Sequence, residues 1–340
     1  MAQPSEVLEL ETIRDEASLP SPFPDERTQV QGKSPSQLFW SRFRKDHVAL
    51  GALFFVVLLT LVAIFAPVIA DKVVHHGPNE LFNKPFADPP ESMLNEFGLP
   101  LGPNKWFYFG ADRAGRDLFV RVLYGARTSL LVGVVATGIA VFIGVILGLL
   151  AGFFRGAPDT IISRTTDIIL SLPLLLFAIG IVAACSASKT GCFGGLIKPG
   201  LPVVIFVIAL FSWPNICRVV RGNTLSIRER EFVDASRSLG ASNRTIIFRE
   251  VLPNLIAPII VYATLLIPSN IIFEAALSFL GLGVSQQTPS WGRQLSDAAA
   301  IFRVAWWMML FPGLFLVATT LSFNLVGDGL RDALDPRTGR

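Results

Sequence analysis

Six stretches of this chain run without a single Asp, Glu, Lys or Arg: Val48–Ala70, Thr128–Phe154, Ile168–Ser188, Pro199–Cys217, Val251–Phe273 and Val304–Gly327. A bilayer core demands about 20 consecutive apolar residues per helix, because no water is present to bond the backbone and the helix must satisfy it internally. One such stretch could be the buried helix of a large soluble core. Six in one chain predict an all-α integral membrane protein with six transmembrane helices. The first run starts too far from Met1, and is too long, to read as a cleaved leader, so it is expected to be a retained span.

The polar intervals give the orientation. Residues 1–36 are polar, carry Pro4, Pro20, Pro22, Pro24 and Pro35, and read as a disordered cytoplasmic tail. The segment Leu38-Phe39-Trp40-Ser41-Arg42-Phe43-Arg44-Lys45 interleaves aromatic rings with cations, as suits the membrane interface. Arg42, Arg44 and Lys45 before the first span put that end in the cytoplasm by the positive-inside rule, and an even number of spans returns the C-terminus there. The interval 218–250 is then cytoplasmic, and its seven arginines against four acids agree. The interval 71–127 is extracytoplasmic; its seven Lys/Arg are matched by seven acids, and long loops weigh little in orientation. The chain divides accordingly into the tail 1–36, an interfacial segment with the first span and a long outer loop over 37–127, and a core of 128–337. Within 107–127, Leu118, Val122 and Leu123 share a face while Asp117, Arg121 and Arg127 occupy the rest, which predicts an amphipathic helix lying at the outer interface before the second span.

Composition agrees with this reading: 51% of residues are hydrophobic and 16% charged, against roughly 25% charged in soluble chains. A net charge of +3 leaves no nucleic-acid footprint. Gly144, Gly148 and Gly152 recur at four-residue spacing, on one helix face where a second backbone can approach. Pro173, Pro214, Pro258, Pro268 and Pro312 lie in or beside spans and permit kinks. Cys217 reads as a packed small hydrophobe. Cys185 and Cys192 flank a short loop; they form a disulfide if that loop faces an oxidising side, or stand as two thiols, and spacing does not decide the geometry.

The interval 218–250 carries the most information. Ser226 followed by Glu229 has the capping-box pattern and predicts a helix from Ser226 to Leu239, with Phe232, Ala235, Ser236 and Leu239 on one face. Gly240 suits a left-handed C-terminal cap. Such a short helix is marginal alone and must dock on its own membrane domain, in the bilayer interface or in a partner's groove.

Asp234-Ala235-Ser236, three further residues, Gly240, eleven more and then Leu252-Pro253 resemble the EAA signature of permease subunits in bacterial ABC importers, with Asp for the first Glu and Ser for the second Ala. Phe109-Gly110-Ala111-Asp112-Arg113-Ala114-Gly115-Arg116-Asp117, Arg121 to Leu130, Glu274 to Gly283, Pro289-Ser290-Trp291-Gly292 and Gly327 to Pro336 are similar to the second permease subunit of dipeptide, oligopeptide and nickel importers. The resemblance spans roughly 38–337 and implies a type I importer permease of the bacterial inner membrane. It implies that Phe232, Asp234, Ala235, Ser236, Leu239, Gly240, Leu252 and Pro253 form a coupling segment seated on an ATPase. It further implies a homologous second permease, two ATP-binding subunits and an extracytoplasmic solute-binding protein, with peptide as the first choice of solute and nickel the second.

The chain offers no ATP site of its own. Gly32-Lys33-Ser34 is its only Gly-Lys-Ser, and Arg27 stands where a phosphate-binding loop needs its first glycine. ATP and Mg are therefore expected on partner subunits, with no catalytic residue, cofactor or metal in this chain. The rival class, a stand-alone carrier, would show internal repeats and mid-membrane charges. His75-His76 alone make a poor metal site. Glu274, at the outer end of the fifth span, is either a pathway or gate residue or an interfacial carboxylate paired with arginine.

Overall fold

The computed structural model describes residues 34–82, 92–188 and 191–334. The chain forms two units, 1–39 and 40–340. The tail expected over 1–36 lies outside the described residues but for its last three, as do Asp335 and Pro336 of the C-terminal motif. Among the described residues the structure is helical, with only isolated bridges at Leu94–Pro100, Ala111–Asp117 and Cys192–Ile197.

Ten helices follow in order among the described residues. Helix α1 is Pro35–Phe43. Helix α2, His47–Ile69, is capped by Asp46, whose side chain accepts from the backbone N–H of Val48 and Ala49, and ends in a wide turn Ala70–Val74. Helix α3 runs Leu118–Phe153, α4 Ala157–Ser171, α5 Leu174–Ala187 and α6 Leu201–Arg228. The short α7 is Glu231–Ser238; α8 runs Asn243–Phe279 through a wide turn at Ile246–Val251; α9 is Trp291–Ala299 and α10 Trp307–Leu334. Helices α2, α3, α6, α8 and α10 are each long and apolar enough to cross a membrane.

The expected third span, Ile168–Ser188, differs from a single rod. Helices α4 and α5 meet at an 88° bend, and the two together make the sixth candidate span. Pro173 supplies the cause: it has no N–H to donate, and its ring forces Leu172 into extended backbone, φ −73° and ψ 139°. The expected interfacial helix over 107–127 is also corrected. Residues 118–127 are the first turns of α3, whose 36 residues make one rod about 54 Å long. Leu118 and Val122 are buried among α2, α9 and α10, and Leu123 is buried as well, rather than laid on a surface.

The glycine face of α3 seats α6 against it. A Cβ added to Gly144 would stand 2.9 Å from the Trp213 carbonyl oxygen and would collide with the Ile216 side chain. One at Gly148 would stand 2.8 Å from the Cys217 carbonyl oxygen, and one at Gly152 would lie 2.9 Å from that of Arg221. The two backbones are thus in contact over three turns. Where lipid is as apolar as leucine, this close packing replaces the hydrophobic effect as the force joining helices.

Buried polar groups pin the remaining helices. Asn270 on α8 donates to the Thr137 hydroxyl on α3 at 2.8 Å and accepts from Ser212 on α6 at 2.8 Å. Glu274, fully buried, accepts from Ser129 at 2.9 Å, from Ser278 at 2.7 Å and also from Ser290. No arginine reaches it, so of the two sequence readings the interfacial ion pair is absent among the described contacts. At the same end the buried Arg121 gathers two loops, donating to the carbonyl oxygens of Pro78 and Gln286 and to the side-chain oxygen of Asn79. Gln294 and Trp291 of α9 donate to the carbonyls of Arg121 and Val122, and Trp307 donates to that of Ala111. His76 is taken up here too, its Nδ1 2.7 Å from Asp117 and its ring stacked on Phe107. Burial raises the Asp297 carboxyl above the usual range, offset in part by Arg293 and Arg121.

Two outcomes are expected from this packing. Gly144→Val should cost about 1–3 kcal/mol or more through overpacking, whereas Gly222→Ala, with open space around it, should be neutral or mildly stabilising; thermal unfolding of the detergent-solubilised subunit distinguishes them. Glu274→Leu should orphan its hydroxyl donors, at about 1–3 kcal/mol for each left unsatisfied. Glu274→Gln, which keeps an acceptor, should retain most of the stability in the same assay.

Candidate functional site

The link between α6 and α8 holds the residues singled out by sequence. Its helix is shorter than the spacing suggests. Ser226, Ile227 and Arg228 complete α6 rather than begin a new helix, and α7 starts at Glu231 with Arg230 as an N-cap that makes no side-chain bond. The local reason is packing. Thr224 is buried and bonds back to the Val220 carbonyl, and Arg228 donates to the carbonyl oxygen of Phe153 at 2.6 Å, so α6 gains contacts by continuing past Ser226.

Helix α7 is clamped from one side by a residue the sequence pattern passed over. Val233 is fully buried against Ile246, Ile247 and Val251 of α8. The outward side carries Phe232, 41% exposed, the exposed Ala235, and Leu239, 89% exposed. Ser236 turns inward, with its hydroxyl 3.4 Å from Glu250; Asp234 pairs with Arg237 at the surface. Gly240 has φ +82°, a left-handed conformation that side chains disfavour, and the helix closes with the Ala241 N–H on the Ser236 carbonyl and the Gly240 N–H on that of Arg237. Leu252 is partly buried on the Val233 cluster and Pro253 is exposed, both just past the wide turn Ile246–Val251 that leads into the regular part of α8. The result is a short helix anchored by Val233, with Phe232, Ala235 and the following Leu239 uncovered beside the charged Glu231, Asp234 and Arg237.

This end also carries cross-helix ion pairs that sequence could not assign. Arg155 meets Glu229 at 2.5 Å, Asp159 meets Arg221 at 2.5 Å and Asp167 meets Arg218 at 2.5 Å. Beside them an apolar groove of 850 Å³ lies between α3 and α8, lined by Val141, Phe142, Val145, Phe248 and Ile256 with Arg244. Opposite, Cys185 and Cys192 are joined in a disulfide, Cα to Cα 4.9 Å, with Phe193 and Leu196 exposed just beyond it. Glu274 lies away from α7, in the hydroxyl cage toward the other end of α8. Among the described residues no group of three or more His, Cys, Asp and Glu side chains converges as a metal site.

The family described as binding-protein-dependent transport system inner membrane component matches residues 144–340, and the N-terminal TM domain of oligopeptide transport permease C matches 34–90. The chain is 42% identical over 307 residues to the glutathione transport system permease protein GsiD of Escherichia coli O6:K15:H31, covering 90% of this chain and 92% of that one. The protein of the same name from Shigella boydii serotype 4 matches equally. Among solved structures, inward-facing forms of the MetNI methionine ABC transporter superpose with TM-scores of 0.52 and 0.53 at 20% identity, over 64% of this chain and 96% and 98% of theirs. That likeness covers the fold alone. With the family matched over more than half its length, the chain belongs to the binding-protein-dependent transport system inner membrane components and is a multi-pass permease subunit of an ABC importer.

Proposed function

We propose that this chain forms half of a translocation path for peptides of glutathione size or somewhat larger, delivered by an extracytoplasmic binding protein and driven by two separate ATPase subunits. One observation carries the docking part: α7 exposes Phe232, Ala235 and Leu239 while Val233 anchors it. An exposed apolar tip on a rigid base suits insertion into a partner's cleft, and a rigid base passes a push onward without absorbing it. A homologous second permease completes the path, with the groove between α3 and α8 as a surface for it. The substrate class rests on relatives named as glutathione transport permeases.

The orientation follows the same reading. The start of α2 and the end of α10 lie together, a Cβ on Gly329 falling against Ala49 and Asp46. The end of α10 also shares a surface cavity with the latter half of α6, through Arg331 and Val219. This end, with Arg44, Lys45 and α7, is assigned to the cytoplasm. The disulfide-closed loop is assigned to the oxidising extracytoplasmic side.

Two experiments test this reading. A cysteine at Leu196 should react with a membrane-impermeant reagent in intact cells, and one at Lys45 only after permeabilisation; the reverse pattern would reject the orientation. Gly240→Val should strain the left-handed turn by about 1–2 kcal/mol or more, and Ala235→Arg should place a charge in a packed contact. Both should leave the subunit inserted but lower ATPase retention in pull-downs and binding-protein-stimulated hydrolysis. Wild-type ATPase binding and uptake of labelled glutathione and dipeptides in both variants would remove α7 from the coupling role.

A further inference from the structure

Helix α4 differs from its neighbours in how it is held. Thr166 is its one fully buried residue. Its apolar contact with the bundle comes through Ile162 and Ile169, against the cluster of Ala140, Trp213, Cys217 and Leu266 and, for Ile169, also the cluster around Ala178 and Val182. The remaining attachment is ionic, through Asp159, Asp167 and the preceding Arg155, each with a partner on α6 or just beyond. Asp159 takes Arg221 through two bonds, 2.5 and 3.0 Å; Asp167 takes Arg218; Arg155, just before the helix, takes Glu229. These pairs are half or more exposed at Arg155–Glu229 and Asp167–Arg218. Exposed pairs are individually weak and exchange readily with water, which suits a contact that has to open.

Both ends of α4 permit it to swing. At the start, Gly156 sits at φ +89° and ψ −134°, backbone that residues with a side chain disfavour, with open space around it. At the far end, Pro173 breaks the helix with an 88° bend into α5. The third ion pair is placed differently from the other two. Glu229 caps the end of α6 in the two-residue link to α7, while Arg155 lies in the link between α3 and α4, next to Gly156. Arg228, adjacent, donates to the Phe153 carbonyl on the other side of the same link.

We propose, resting on the coupling role assigned to α7, that α4 is a hinged arm latched to α6 by these ion pairs, and that Arg155 is the positioning residue through which displacement of α7 reaches it by way of Glu229. When a partner draws α7 sideways, Glu229 pulls Arg155 at the glycine hinge. Asp159 and Asp167 then slide off Arg221 and Arg218, and the arm swings about Pro173. The arm thereby gates the end of the bundle where α7 sits.

The test uses the assembled transporter in lipid nanodiscs, with Arg155→Glu, Glu229→Arg and the double reversal, and spin labels on cysteines introduced at Ile161 and Gly222. In the parent protein the distance between the labels should change between nucleotide-free and ATP-bound states. Each single reversal should remove most of that change and lower solute imported per ATP hydrolysed by about fivefold, the ratio expected for an exposed pair at the upper end of its range. The double reversal should restore both readouts, which a merely structural role for either residue would not predict. A parent distance insensitive to ATP would overturn the proposal. So would single reversals that couple normally, or a double reversal no better than the singles. If the ATPases bind and Gly240→Val uncouples them while Arg155→Glu behaves as the parent, only the arm falls. If no ATPase assembles on the chain at all, the coupling reading falls and takes the arm with it.

Discussion

The contact on which the rest of the molecule depends is the one between the backbones of α3 and α6. In a bilayer, surrounding lipid offers apolar side chains nearly the same environment as another helix does, so burial alone does not hold helices together. Gly144, Gly148 and Gly152 remove the side chains that would keep the axes apart, and α6 settles directly on the peptide groups of α3. Because the contact lasts three turns, α6 cannot tilt or slide without α3.

A second theme is the separation of polar work by depth. Within the bundle, polar groups are neutral or caged: Asn270 between Thr137 and Ser212, and Glu274 among serine hydroxyls. An unpaired charge there would carry a large desolvation cost, and hydroxyl donors meet the need without importing a cation. At the disulfide end the buried Arg121 joins the two long loops through carbonyl oxygens, making one lid of segments far apart in sequence. At the α7 end the charges are partly or half exposed and paired between α4 and α6 or the links beside them. One end is therefore knit by buried bonds and the other by exchangeable ones, an asymmetry that fits a permease worked from one side.

Much of this was legible from residue order. Runs free of charge located the spans, because the bilayer imposes a length that no local packing can alter. The glycine register marked the α3 face, because four-residue spacing on a helix has one geometric meaning. Gly240 marked a helix end for the same kind of reason: a left-handed turn needs a residue without a side chain.

Tertiary contacts decided the rest. Ser226 and Glu229 have capping spacing, yet α6 runs through Ser226 because Arg228 finds a partner on α3, the Phe153 carbonyl, that a local pattern cannot contain. Pro173 allowed a kink or a break, and the 88° bend between α4 and α5 is seen only in the fold. Phe232, Ala235, Ser236 and Leu239 share a pattern, but the seat of Val233 on α8 determined which of them face outward. The partners of Arg155, Asp159 and Asp167 lie 51 to 74 residues away, a distance along the chain over which spacing carries no signal. Sequence by itself determined what must cross the membrane and where backbones could meet or turn, since those follow from solvent and sterics acting on each residue. Which charge met which, and which face stayed uncovered, followed only from the fold, since those depend on groups that the chain brings together from separate helices.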